Sequence, residues 1–231
     1  MDERKLIREA QSGNVRSFNE LVRTYQELAY RTAFRVLGER EAAADATQEA
    51  FLAAYTHIRS LRGDSFKSWL LRIVTNACYN LLRSKYRRRT VSLDGLAVEP
   101  EQAMPLFPAH SEVDPQEFAE RQELGRLIQE GLLTLPADQR IVLILSDMEN
   151  LSHAEIEQIT GVNQGTIKSR LSRARSRMRD VLQSQGVTPD ASARRRLEPS
   201  DRDVMPGPRA RLYPAQSLLA FKSPAAAPAP L

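Results

Sequence analysis

Between Leu151 and Leu182 the chain carries two helix-start signals set around one glycine, and that arrangement leaves few folds open. Ser152 is followed three residues later by Glu155, the spacing of a capping box, and Leu151 stands where it can staple onto Ile156. Gly161 ends that helix near Thr160, because glycine tolerates the left-handed conformation a helix end uses. Asn163 then caps a second helix, with Val162 and Ile167 in the same staple positions. Two capped helices around a glycine turn predict a helix-turn-helix.

The second helix sorts its residues by angle. Ile167, Leu171, Ala174, Met178 and Leu182 share one apolar stripe. At about a hundred degrees per residue, the opposite pole carries Ser169, Ser172 and Ser176 with Arg173 beside them. Lys168, Arg175 and Arg179 line one flank, and Arg170 and Arg177 the other. Short polar side chains at the tip with cations on both sides suit a major groove, where base edges lie between phosphate walls. A merely solvated basic face is the plainer alternative, and the double cap with the angular sorting weighs against it.

Charge is distributed in blocks along the 231 residues. Residues 1–90 hold 17 Lys and Arg against 10 Asp and Glu, whereas residues 91–118 hold none against 6. Residues 119–182 balance at 9 and 9, and the remainder holds 7 against 4. The acidic stretch contains Pro100, Pro105, Pro108 and Pro115, which forbid a long helix there, and nothing in it alternates as a strand does. It is expected to be a linker between two small domains. The tail after Gln183 contains eight of the thirteen prolines and cannot bury enough apolar surface to order itself, although LYPAQSLLAFK from Leu212 to Lys222 is an apolar island within it.

The same composition excludes several classes. No apolar run has the length of a membrane span, and the start MDERKLIREA lacks the polarity of a signal peptide, so membrane insertion is excluded and the expected location is cytoplasmic. Cys78 is the only cysteine, which leaves no intrachain disulfide or cysteine zinc site and suggests a small core residue. His57, His110 and His153 are scattered without metal spacing, and neither a phosphate loop nor a nucleophile-base pair stands out. The reading is therefore of a non-enzyme that needs no cofactor or metal.

Residues 1–90 read as helices. Leu21, Leu28, Thr32 and Phe34 to Leu37 belong to one long amphipathic segment, which Gly38 ends. Ala43, Thr47, Ala50, Phe51 and Ala54 then form an apolar stripe, with Glu41, Asp45, Gln48 and Glu49 on another face. That acidic ridge is either a docking face for a basic protein or a solvated face. A third helix from near Ser65 to about Arg89 has Phe66, Leu70, Ile73, Ala77 and Leu81 as its buried stripe. Another face of it carries Arg72, Asn76, Tyr79, Arg83 and Tyr86, a mixture of cations, aromatics and an amide suited to unpaired bases and their backbone. Trp69 fits either core or wedge, and the loop from Ser60 to Asp64 can rim a pocket for one extruded base.

The segments ADATQEAFLAAY and SFKSWLLRIVTNACYNLLR, the acidic Pro-containing linker, and LPADQRIVLILSDMENLSHAEIEQITGVNQGTIKSRLSRAR occur together in an order that resembles the extracytoplasmic-function sigma factors of the bacterial sigma-70 family. The resemblance runs from about Leu6 to Leu182. It implies an all-α chain of two helical domains: region 2 over residues 1–90, the linker over 91–118, the region 4 helix-turn-helix over 119–183 and a tail over 184–231. It implies that Asp45, Gln48 and Glu49 meet the clamp helices of the largest subunit of core RNA polymerase. For the −10 promoter element it implies Arg62, Asp64, Trp69, Arg72, Asn76, Tyr79 and Arg83, with Asn76 and the loop from Leu61 around a flipped base and the Arg87 to Arg89 run on the backbone. For the −35 element it implies Thr166, Lys168, Ser169, Arg170, Ser172, Arg173 and Arg177 on duplex DNA. The linker would thread toward the polymerase active site. An exposed helix face on each domain leaves room for a sequestering anti-sigma factor. Asn163 and Gln164 depart from the family's usual Pro-containing turn, and Tyr79 and Ser172 stand where promoter choice varies. A stand-alone helix-turn-helix repressor or activator is the alternative, but it needs neither the Asp45 ridge nor the Arg72 to Tyr86 face.

Overall fold

The computed structural model describes residues 2–63, 65–91 and 115–186, with side chains described for 2–63, 65–85 and 122–186. Asp64, the side chains of Tyr86 and Arg87 to Arg89, most of the acidic linker, and the tail with its apolar island lie outside the described residues. Four helices form the first bundle: α1 (Glu3–Gln11), α2 (Val15–Leu37), α3 (Arg40–His57) and α4 (Phe66–Val91), with a 3-10 turn at Ile58–Ser60. The second holds α5 (Pro115–Thr134), α6 (Ala137–Leu143), a π-helical turn (Ile144–Met148), α7 (His153–Thr160) and α8 (Gln164–Ser184). All regular structure among the described residues is helical, as the periodicity predicts, and no described helix is long and apolar enough to cross a membrane.

Local chemistry explains the element ends. Asn14 accepts from the N–H groups of Arg16 and Ser17 to start α2, and Gly38 ends it at φ 79°. A Cβ at Gly38 would also stand 2.6 Å from a Leu133 methyl of α5, so this position serves both the helix end and the contact between bundles. The small residues Ala43, Ala46, Ala50 and Ala54 are all fully buried, which lets α3 lie close against α2 and α4. Pro115 corrects the reading of the linker: it begins α5 rather than preventing a helix, because the first helical position needs no N–H donor.

Burial of α4 also differs from the single expected stripe. Phe66, Leu70 and Ala77 are buried as expected, but so are Leu71, Val74, Thr75 and Cys78, whereas Ile73 and Leu81 are half-buried. The reason is tertiary, since α4 is packed by α2 and α3 and also by α7 of the second bundle. Cys78 is the core residue expected, its thiol pushed up to about 12 by burial and therefore inert as a nucleophile.

The two bundles are joined through buried polar contacts. Arg35 of α2 pairs with Glu149 at 3.0 Å, and the same carboxylate oxygen accepts from the Thr32 hydroxyl at 3.3 Å. Lys67 donates to the Glu149 carbonyl at 2.7 Å, and Ser68 to the Glu155 carboxylate at 3.1 Å. Arg140 of α6 reaches the carbonyl of Val36 while its other arm holds those of Leu133 and Leu135, both at 2.9 Å. Gln129 of α5 donates to the Phe34 carbonyl at 3.2 Å. Asn150, directly after Glu149, adopts a left-handed conformation at φ 55°, which asparagine tolerates better than most residues.

Candidate nucleic-acid interface

The helix-turn-helix forms as its caps predict. The Ser152 hydroxyl accepts from the Glu155 N–H at 3.3 Å and the Glu155 carboxylate accepts from the Ser152 N–H at 2.9 Å, so the capping box is closed in both directions. Gly161 ends α7 at φ 70°, and Asn163 accepts from the Thr166 N–H at 2.9 Å. Gln164 donates to Glu157 at 2.9 Å, which ties the turn from α8 back to α7 without a proline. Ile156 and Ile167 are fully buried beneath the first turns of α7 and α8. Replacing Ser152 with alanine is expected to lower stability by about 1 kcal/mol in urea unfolding. An unchanged midpoint would mean that packing alone sets this start.

Burial lifts the Glu155 carboxyl, but hydrogen bonds from Ser152 and Ser68 and the nearby Lys67 charge outweigh it and hold the group below its ordinary range. A lowered folded pKa means that this contribution is fully present above the unfolded carboxylate value. It is lost as pH falls through the folded one.

On α8 the apolar stripe Ile167, Leu171, Ala174 and Met178 is buried, and Leu182 half-buried. Lys168, Ser169, Ser172, Arg173, Ser176, Arg177 and Arg179 are exposed on the remaining surface. Thr166 is half-buried in the first turn, where its carbonyl accepts from the Ser169 hydroxyl at 2.9 Å. The flanking arginines are not equivalent. Arg170 is held by Asp138 of α6 at 3.0 Å, and Arg175 is gripped by both oxygens of Asp147 at 2.9 and 2.7 Å. Both are thereby partly turned to internal use, whereas Arg173 and Arg177 lie on the open face.

The expected single-strand face lies on α4 and the turn before it. Asn76 and Arg83 are exposed, as is Arg62 in the preceding loop. Trp69 is half-buried with its ring 5.7 Å from that of Phe66, which makes it part core and part surface. Arg72 is half-buried, and burial lowers its guanidinium pKa. Tyr79 is half-buried too: burial raises its phenol, Arg170 opposes the shift and Asp138 adds to it, which places the second bundle beside this face. Asp64, expected in the same group, lies outside the described residues.

The acidic ridge forms on α3. Asp45, Gln48 and Glu49 are exposed opposite the buried alanines, and the surface continues into Leu52 and Tyr55, at 63% and 51% exposure. Three faces thus sit on three helices. The network around Arg35, Arg140 and Glu149 was not anticipated from the sequence; its signals there are Arg35 inside the apolar run FRVL and Arg140 at the head of RIVLIL, and Glu149 has none.

Both bundles match known protein families. The sigma-70 region 2 family model matches residues 21–88, and the sigma-70 region 4 model matches residues 125–178. The ECF RNA polymerase sigma factor SigW of Bacillus subtilis is 31% identical over 180 residues, covering 78% of this chain and 96% of that relative. The ECF RNA polymerase sigma factor SigE of Mycolicibacterium smegmatis is 33% identical over 166 residues, covering 72% of this chain and 62% of that relative. Among solved structures, the sigma factor RpoE in complex with the anti-sigma factor NepR from Bartonella quintana matches with a TM-score of 0.57 and 28% identity, over 72% of this chain and 96% of that one.

Proposed function

Because the chain belongs to the extracytoplasmic-function sigma factors of the sigma-70 family, we propose that it binds core RNA polymerase, directs it to promoters by their −35 and −10 elements, and promotes melting of the DNA. It supplies no catalysis of its own, the chemistry of RNA synthesis belonging to the polymerase. The observation that carries this reading is the presence of an exposed acidic ridge, an aromatic and basic α4 face and a capped recognition helix on one chain. A stand-alone repressor or activator has use for the last of these only.

Each face has a chemical task in this reading. Asp45, Gln48 and Glu49 on α3 meet a basic surface on the clamp helices of the polymerase. Asn76, with Arg62, Trp69, Arg72, Tyr79 and Arg83, receives the unwound strand of the −10 element, the aromatic rings stacking on unpaired bases and the cations holding phosphates. Lys168, Ser169, Ser172, Arg173 and Arg177, with the start of α8 at Thr166, enter the −35 major groove. Arg170 joins them only by leaving Asp138. The closed packing of the two bundles sets Tyr79 beside Arg170 and Asp138, so engagement of both promoter elements requires the bundles to separate. An anti-sigma protein that binds across the closed chain is the partner suggested by the RpoE–NepR likeness.

Promoter-directed transcription with purified bacterial core polymerase, with and without this chain, tests the function. Duplex binding by the chain alone without redirection of core would overturn it in favour of the repressor. Within it, Arg173→Ala is expected to weaken −35 recognition by about 1–3 kcal/mol through loss of a base contact. Equal weakening on promoter and scrambled duplexes would reduce Arg173 to a phosphate contact.

A further inference from the structure

The first helix lies ahead of the 21–88 segment matched by the region 2 model, and its side chains reach across the bundle to the surroundings of the α4 face. Ile7 and Ala10 bury one side of α1 in the core. Its polar residues do something more specific. The Gln11 amide donates to the Leu61 carbonyl at 2.8 Å and to the Ile58 carbonyl at 3.3 Å, the same carbonyl that accepts the Leu61 N–H in closing the 3-10 turn. At the other end of α1, Glu3 uses both carboxylate oxygens. One accepts from the N–H of Phe66, the first residue of α4, at 2.9 Å; the other accepts from the Tyr25 hydroxyl at 2.8 Å.

These contacts act on the two sides of the promoter-facing loop. Phe66 is fully buried between Tyr25 and Trp69, with ring centroids 5.3 and 5.7 Å away, so the Glu3 contact sets the start of α4 and with it the position of Trp69. The Tyr25 phenol is pushed up to about 12, by burial first and then by Glu3, and stays protonated as a donor at neutral pH. Between the pinned points, Arg62 is exposed and Gly63 adopts φ 107° with nothing within 4 Å of a Cβ placed there. The Gln11 and Glu3 contacts stand on either side of this position.

We propose that α1 is a positioning element for promoter melting, Gln11 holding the Ile58–Leu61 turn and Glu3 the first turn of α4 at the spacing in which Arg62, Trp69 and Asn76 receive an extruded base. This rests on the −10 reading given above. Displacement of such a constellation by an ångström disrupts its selectivity more than its affinity for other partners, because only the correctly oriented groups distinguish one base from another.

The test uses full-length chain assembled with core polymerase on duplex promoters and on templates premelted across the −10 element, each with the matched or a substituted nontemplate base. Gln11→Glu is isosteric but cannot donate to two carbonyls, and Glu3→Ala removes both acceptors. Both are expected to lose at least about fivefold in discrimination between the two premelted templates and to open duplex promoters more slowly. Core affinity is expected to stay within about twofold of wild type, since α1 lies away from the α3 ridge. Glu3→Gln keeps an oxygen for the Phe66 N–H and is expected to restore most of the discrimination. Wild-type discrimination in Gln11→Glu and Glu3→Ala would overturn the proposal, as would a loss that merely follows thermal stability or that Glu3→Gln fails to rescue. If the wild-type holoenzyme itself shows no base preference on the premelted templates, the −10 reading fails and the proposal with it.

Discussion

Glu149→Ala is expected to destabilise the closed chain by about 3–5 kcal/mol, because it strands the Arg35 guanidinium in a buried site without a counter-charge. Arg35 and Glu149 are 7% and 2% exposed, and the pair joins α2 to the turn before α7, so the loss falls on the contact between bundles. Burial already lowers the Arg35 pKa, with Glu149 opposing that shift, so removing Glu149 leaves the unfavourable part alone. Urea unfolding measures the stability, and small-angle scattering or a label pair on α3 and α8 measures the separation. The expected result is a less stable and more extended molecule. Replacing both residues, Arg35→Met with Glu149→Leu, is expected to recover most of the stability, since an apolar pair of similar volume leaves no buried charge. An unchanged distance between bundles in Glu149→Ala would assign the closed form to apolar contacts and to Arg140 instead.

Asp45→Arg is expected to weaken assembly with core polymerase by at least about 100-fold, since it places like charge against a basic docking surface and forfeits the original attraction. Asp45 is exposed on the face of α3 opposite Ala43, Ala46 and Ala50, so stability should change by no more than about 0.5 kcal/mol. Duplex binding by α8 should be unaffected, because that surface lies on the other bundle. Titration of labelled core with the variant provides the comparison. Undiminished assembly would return the ridge to the plain reading of a solvated acidic face.

The parts of this molecule that were legible in the sequence are those specified by near neighbours. Ser152 with Glu155, Gly161, and Asn163 with Thr166 act within a few residues, and each forms the contact its spacing predicts. The angular sorting of α8 holds for the same reason: once the apolar stripe is buried, helix geometry decides where Ser172 and Arg173 lie. Elsewhere the local pattern misled. Pro115 reads as a breaker unless its place at the first position of a helix is known, and α4 buries Leu71, Val74 and Cys78 as well as the expected stripe because α2, α3 and α7 pack around more than one of its sides.

Residue order alone thus specified an all-helical chain, the caps of the helix-turn-helix, the exposure of the α3 acidic residues and of the polar face of α8, and the family. It took the packed chain to establish that the bundles close on each other, that Arg170 and Arg175 are held by Asp138 and Asp147, and that α1 grips the loop before α4. The difference lies in the range of the interactions. Caps and stripes are set by spacings of three or four residues, whereas Arg35 finds Glu149 at a separation of 114 and Gln11 finds Leu61 at 50. A buried charge or a loop carbonyl accepts whichever partner the packed chain delivers, and nothing in the neighbouring residues names it.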